Sequence, residues 1–194
     1  LLVDFGHGPL TFTNGLQFGL VSTTIRPDPE SDGMPEILEA LGVEYLFELR
    51  TLTQIDGGST FEAEVPPIDV DFPAGQVAFS GFTSEGNFDF RQRHLAGSGV
   101  VNSVQIDAGT TGVINIENVS LQTDMTGITP GMWLGDAMAE IGAVSSNGVG
   151  PGGPFNLTMS RAGASFDTTL DEETELVTIE GKYYLDSLFS DSAT

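Results

Sequence analysis

The chain has 194 residues, 28 acidic against 6 basic, for a formal net charge of −22. That charge repels nucleic-acid phosphates and anionic lipid headgroups, which argues against contact with either. With no cysteine, a disulfide framework, a thiol nucleophile and thiolate metal sites are excluded.

The apolar fraction of 39%, with 13 phenylalanines, is enough for an ordered core, and the length fits one domain over residues 1–194. Such an acid excess with a single lysine, Lys182, suits salty surroundings that screen the repulsion. No apolar run approaches the ~18–20 residues of a membrane-spanning helix. The chain opens Leu1-Leu2-Val3-Asp4 without methionine, so a processed, secreted chain at the cell surface or outside the cell is expected.

In chain order, Leu1, Val3 and Phe5 form an apolar leading strand. It either starts the protein's own sheet or completes the sheet of another copy by strand addition. Leu10 and Phe12, then Asn14-Gly15, then Leu16, Phe18 and Leu20 predict a hairpin with a type I′ turn. Pro35 to Leu41, closed by Gly42, predicts a short helix. Val43 to Ile55 alternates with period two and predicts a strand. After Asp56-Gly57-Gly58, Phe61 to Val65 and Ile68 to Phe72 alternate on either side of Pro66-Pro67.

Further strands are predicted at 76–82, 87–95, 100–106, 112–123, 155–160, 165–170 and 176–185. Trp133, Ala137, Met138 and Ile141 have helical spacing and predict a second helix over 130–144, followed by a loop over 145–154. Many short strands with Gly and Pro between them point to an all-β fold, an antiparallel, jelly-roll-like β-sandwich with one or two short helices.

The clearest candidate for metal binding is Asp28-Pro29-Glu30-Ser31-Asp32-Gly33 with Glu39 beyond. Oxygen ligands at alternate positions, a turn glycine and a distal carboxylate suit a hard cation. Over these 12 or so residues the spacing resembles an EF-hand loop. It departs from that motif at Glu30, at Pro29 and Pro35, and in lacking a preceding helix. The resemblance therefore implies Ca²⁺ at Asp28, Glu30, Asp32 and Glu39, without the EF-hand fold.

A second candidate joins Glu62 and Glu64 to Asp69 and Asp71: a tight corner at Pro66-Pro67 would bring four carboxylates together, whereas an extended passage would keep them apart. Asp171, Glu172, Glu173 and Glu175 read as a solvated hairpin tip. Arg91 and Arg93, beside His94, form a scarce basic patch, either paired internally or open to a carboxylate of a neighbouring copy.

Catalytic signatures are missing: there is no G-x-S-x-G, H-E-x-x-H or Walker loop, and His7 and His94 are the only imidazoles. The reading that follows is a non-catalytic, secreted structural subunit. It self-assembles into a filament, tube or surface layer by strand addition and calcium bridging, with other copies of itself as partners. The alternative is a carbohydrate-binding module or an accessory sandwich domain of a secreted enzyme, with Trp133, Tyr45, Tyr183 and Tyr184 as stacking candidates.

Overall fold

A computed structural model describes residues 1–8, 21–55, 57–89, 93–129, 132–150, 153–171, 173–174 and 176–192. Among them the chain is almost entirely β, as expected, with one helix, α1 (Met34–Leu41). Twelve strands form one antiparallel sheet: β1 (Leu2–His7), β2 (Val21–Arg26), β3 (Glu48–Thr53), β4 (Gly58–Val65), β5 (Ile68–Phe72), β6 (Gly75–Phe79), β7 (Phe82–Asp89), β8 (His94–Asp107), β9 (Gly112–Thr129), β10 (Met132–Gly150), β11 (Gly153–Asp171) and β12 (Leu176–Ser192).

The topology is a meander. β4 and β5 lie along one line, and β7 and β6 lie along the next: Val65 faces Phe82 and Ile68 faces Phe79 in unbroken register. β8 pairs with β7 at one end and with β6 at the other. Among the described residues each strand line therefore touches only the lines before and after it in the chain, and β1 and β12 form the two rims.

Two helix and loop expectations are corrected. Residues 132–150, expected to be a helix and then a loop, are the long strand β10. Trp133, Ala137 and Ile141 keep a spacing of four, which a strand satisfies as well as a helix. Gly135 and Gly142 weaken the helix, and pairing on both edges decides for the strand. Glycine in the expected loop serves close backbone approach: a Cβ on Gly148 would stand 2.3 Å from the Thr111 carbonyl oxygen and 3.2 Å from the Phe155 ring.

Strand limits also shift. The strand expected over Val43–Ile55 is limited to β3, and the one expected over 87–95 is split by a hairpin in which Asp89 faces His94. Segments 155–160 and 165–170 belong to one strand, β11. The hairpin expected over 10–20 lies outside the described residues.

Helix α1 follows the sequence closely: Pro35 sits in its first turn, Gly42 closes it at φ 67°, and it lies against β5.

No apolar side chain is fully buried among the described residues. The accessible surface is 12427 Å², whereas a globular chain of 20.5 kDa exposes about 8,900 Å². Among the described residues the sheet is open, and apart from α1 against β5 no second layer covers it.

Candidate interaction surface

Side chains on paired residues share a face, so the registers sort the molecule into rows running across all the strands. The row through Gly97 includes Phe5, Phe61, Thr123, Ala137 and Phe166. The row through Gly99 includes Val3, Ile25, Leu49, Leu121, Ala139 and Tyr183. The row through Val101 continues with Val119, Ile141, Ala162 and Leu185. None of these rows carries a charged residue.

Glycine lets aromatic rings lie flat on this face. A Cβ on Gly97 would stand 3.0 Å from the Phe61 ring, and one on Gly99 would stand 2.8 Å from the Phe82 ring. Phe166 and Tyr183 meet edge to face, with ring centres 5.9 Å apart.

The intervening rows form the opposite, acid-bearing face. Asp124, Asp136, Asp167 and Glu180 stand directly across four adjacent strands. Glu62 faces Glu85, and Glu48 faces Glu64. Like charges so placed repel. Lost hydration, and then the charge and hydrogen bond of Asp136, push the Asp167 carboxyl above the ordinary carboxylate range.

The few cations sit among these acids. Arg50 pairs with Glu48, and Lys182 Nζ lies 3.0 Å from Glu180 Oε1. His94 Nε2 lies 2.8 Å from Asp124 Oδ1. Arg161 Nε donates to Glu140 Oε2 at 2.9 Å, and the Tyr184 hydroxyl donates to the same oxygen at 2.5 Å. The Tyr184 bond first, then that of Arg161, holds the Glu140 carboxyl below its usual range.

One row breaks the pattern. Pairing skips Asn102, Asn118, Gly142, Arg161 and Asp186, which face one another across β8 to β12, and the same line continues through Gly81 and Pro66. Gly81, Asn118 and Arg161 have positive φ, at 91°, 56° and 23°. Beyond this row the apolar positions change parity. Ile68, Phe79, Val104, Ile116, Val144, Met159 and Leu188 form one fully apolar row, three steps after Val101 instead of two or four. A strictly extended chain would send this row to the acid-bearing side. On β9 and β11, and at Gly81 between β6 and β7, left-handed residues interrupt that alternation at the place where the pattern changes.

The expected site residues are spread over the molecule. Asp28 Oδ1 accepts the Glu30 N–H at 3.0 Å, and the Ser31 hydroxyl donates to the Asp28 carbonyl at 2.8 Å, which closes the turn on itself. Asp32 and Glu39 are exposed, the latter on α1. The chain passes extended through Pro66-Pro67, so Glu62 and Glu64 stay on β4 while Asp69 and Asp71 lie further along on β5, where Gln76 Nε2 donates to Asp69 Oδ1 at 2.8 Å. Among the described residues, no three histidine or acidic side chains are grouped to share one metal ion.

Leu1 is exposed, and Val3 and Phe5 lie in β1, which pairs with the chain's own β2 and leaves its outer edge as a rim. Arg93 lies in the turn before β8, its Nη1 donating to the Ile128 carbonyl at 3.4 Å; Arg91 lies outside the described residues. At the β11–β12 turn, Asp171 Oδ1 accepts the Glu173 and Thr174 amides at 2.9 and 3.2 Å, the Glu173 bond chiefly lowering its pKa, while Glu172 and Glu175 lie outside the described residues. Sequence reasoning missed the Asp124–Asp136–Asp167–Glu180 row, whose members come together only once three strand registers are fixed.

The family described as a bacterial protein of unknown function (DUF945) matches residues 2–193. The chain belongs to this family. Neither a curated protein nor a solved structure matches it. Among the described residues, no helix is long and apolar enough to cross a membrane.

Proposed function

We propose that this member of the family is a non-catalytic structural subunit that works outside the cell or at its surface and associates with copies of itself. The observation that carries this reading is the open sheet. It has one face whose rows through Gly97, Gly99 and Val101 carry no charge, one acid-bearing face, two rims and no fully buried apolar side chain among the described residues. A sheet of this kind gains most by covering its apolar side.

The two-layer sandwich expected from the sequence then arises between chains. Calcium serves the outward acid faces, where carboxylates stand opposite one another and cations reduce their repulsion. Further copies add at the rims, where the outer edges of β1 and β12 offer backbone groups for strand addition. Electron microscopy and light scattering of the purified protein, with calcium and with chelator, test this reading. Assemblies larger than one chain are expected, and more of them with calcium; single chains at high concentration in both conditions would overturn it.

A further inference from the structure

We infer that the apolar face seats a second copy of this chain, apolar face against apolar face, with both acid faces turned outward. The inference rests on the self-association proposed above and specifies the surface that carries it. Three observations select a second copy as the occupant.

The first is area. The surface in excess of a globular chain, counted over both faces, is about 3,500 Å², so one face offers on the order of half of that, within the roughly 1,000–2,500 Å² per partner that an obligate homodimer buries. A small apolar ligand would cover only a fraction of it. The second is charge. At −22 per chain, copies repel through any surface that carries acids, and the rows through Gly97, Gly99 and Val101 carry none. The third is composition. Leu121 and Phe166 stand 48% and 41% exposed at the middle of this face. These rows are apolar with a few hydroxyl residues, Thr123 among them, and carry no charge, so two copies of them can meet about a two-fold axis, with the sheets about 10 Å apart as in a sandwich core.

The absence of cysteine provides the test, because one introduced thiol reports on its own face. Thr123→Cys places it on the apolar face and Gln122→Cys on the acid face, one residue apart on β9. Maleimide labelling is followed from low to high protein concentration, with sedimentation velocity run in parallel. The expected result is association in both variants, with labelling of Thr123→Cys slowed at least about ten-fold at high concentration and Gln122→Cys unchanged. Leu121→Glu, a buried charge in this arrangement, is expected to leave folded single chains, checked by circular dichroism.

Association with both thiols labelled equally would overturn the inference and direct attention to the rims, leaving the proposed function standing. Single chains with Thr123→Cys freely labelled would overturn both. Single chains with Thr123→Cys protected at every concentration would overturn the inference in favour of a bound apolar ligand.

Discussion

Asp167 stands between Asp136 and Glu180, each directly across a strand, so its carboxylate meets like charge on both sides. A raised pKa in the folded chain means that the folded state holds the proton more tightly than the unfolded one. Its contribution to stability is therefore fully present below the ordinary carboxylate pKa and is lost as pH rises through the folded value. Asp167→Asn removes that loss. The expected outcome is a thermal midpoint higher by on the order of 1–3 °C near pH 7, with the gain fading as pH falls below about 4. Thermal melts of the two proteins across that range decide it. An equal gain at both ends would mean that the row is not coupled as described.

At the scale of the element, the interrupted row makes its own demand on sequence. Asn118 has φ 56° in the middle of an 18-residue strand, a conformation that asparagine tolerates, glycine accepts freely and β-branched residues resist. Asn118→Gly is expected to be neutral or to stabilise by up to about 1 kcal/mol, and Asn118→Val to destabilise by about 1–2 kcal/mol, measured by denaturant unfolding. The reverse order would show that the left-handed residue is not needed there. Such rows also mark the limit of what the sequence discloses. Alternation revealed β5 at its actual bounds and most of the other strands, because period two is local. Helical spacing at Trp133, Ala137, Met138 and Ile141 was misleading because a multiple of four residues keeps a strand residue on its face as well as a helix residue. Alternation also announces an apolar side without saying what covers it, so a sandwich within one chain and an open sheet read alike. The acid row spans four strands, from Asp124 to Glu180, and forms only once three successive registers are set, so it was illegible for that reason.

For the whole molecule, the balance lies between charge-free rows that draw copies together and a net charge that drives them apart. Screening shortens the repulsion from a range of about 10 Å at 0.1 M salt to about 3 Å at 1 M. Self-association is therefore expected to tighten on the order of ten-fold between 0.05 and 1 M sodium chloride, read by sedimentation equilibrium. A weakening over that range would mean that ion pairs between copies, such as an arginine on a neighbour's carboxylate, do most of the holding. The meander has a further consequence, for biosynthesis. Every strand line finds its neighbour in the stretch just made, so the sheet can zip up from its first rim while the ribosome is still working, with no distant partner to wait for. Its stability then accumulates ladder by ladder, as in a solenoid, and a chain truncated within β12 would forfeit one ladder and keep the rest.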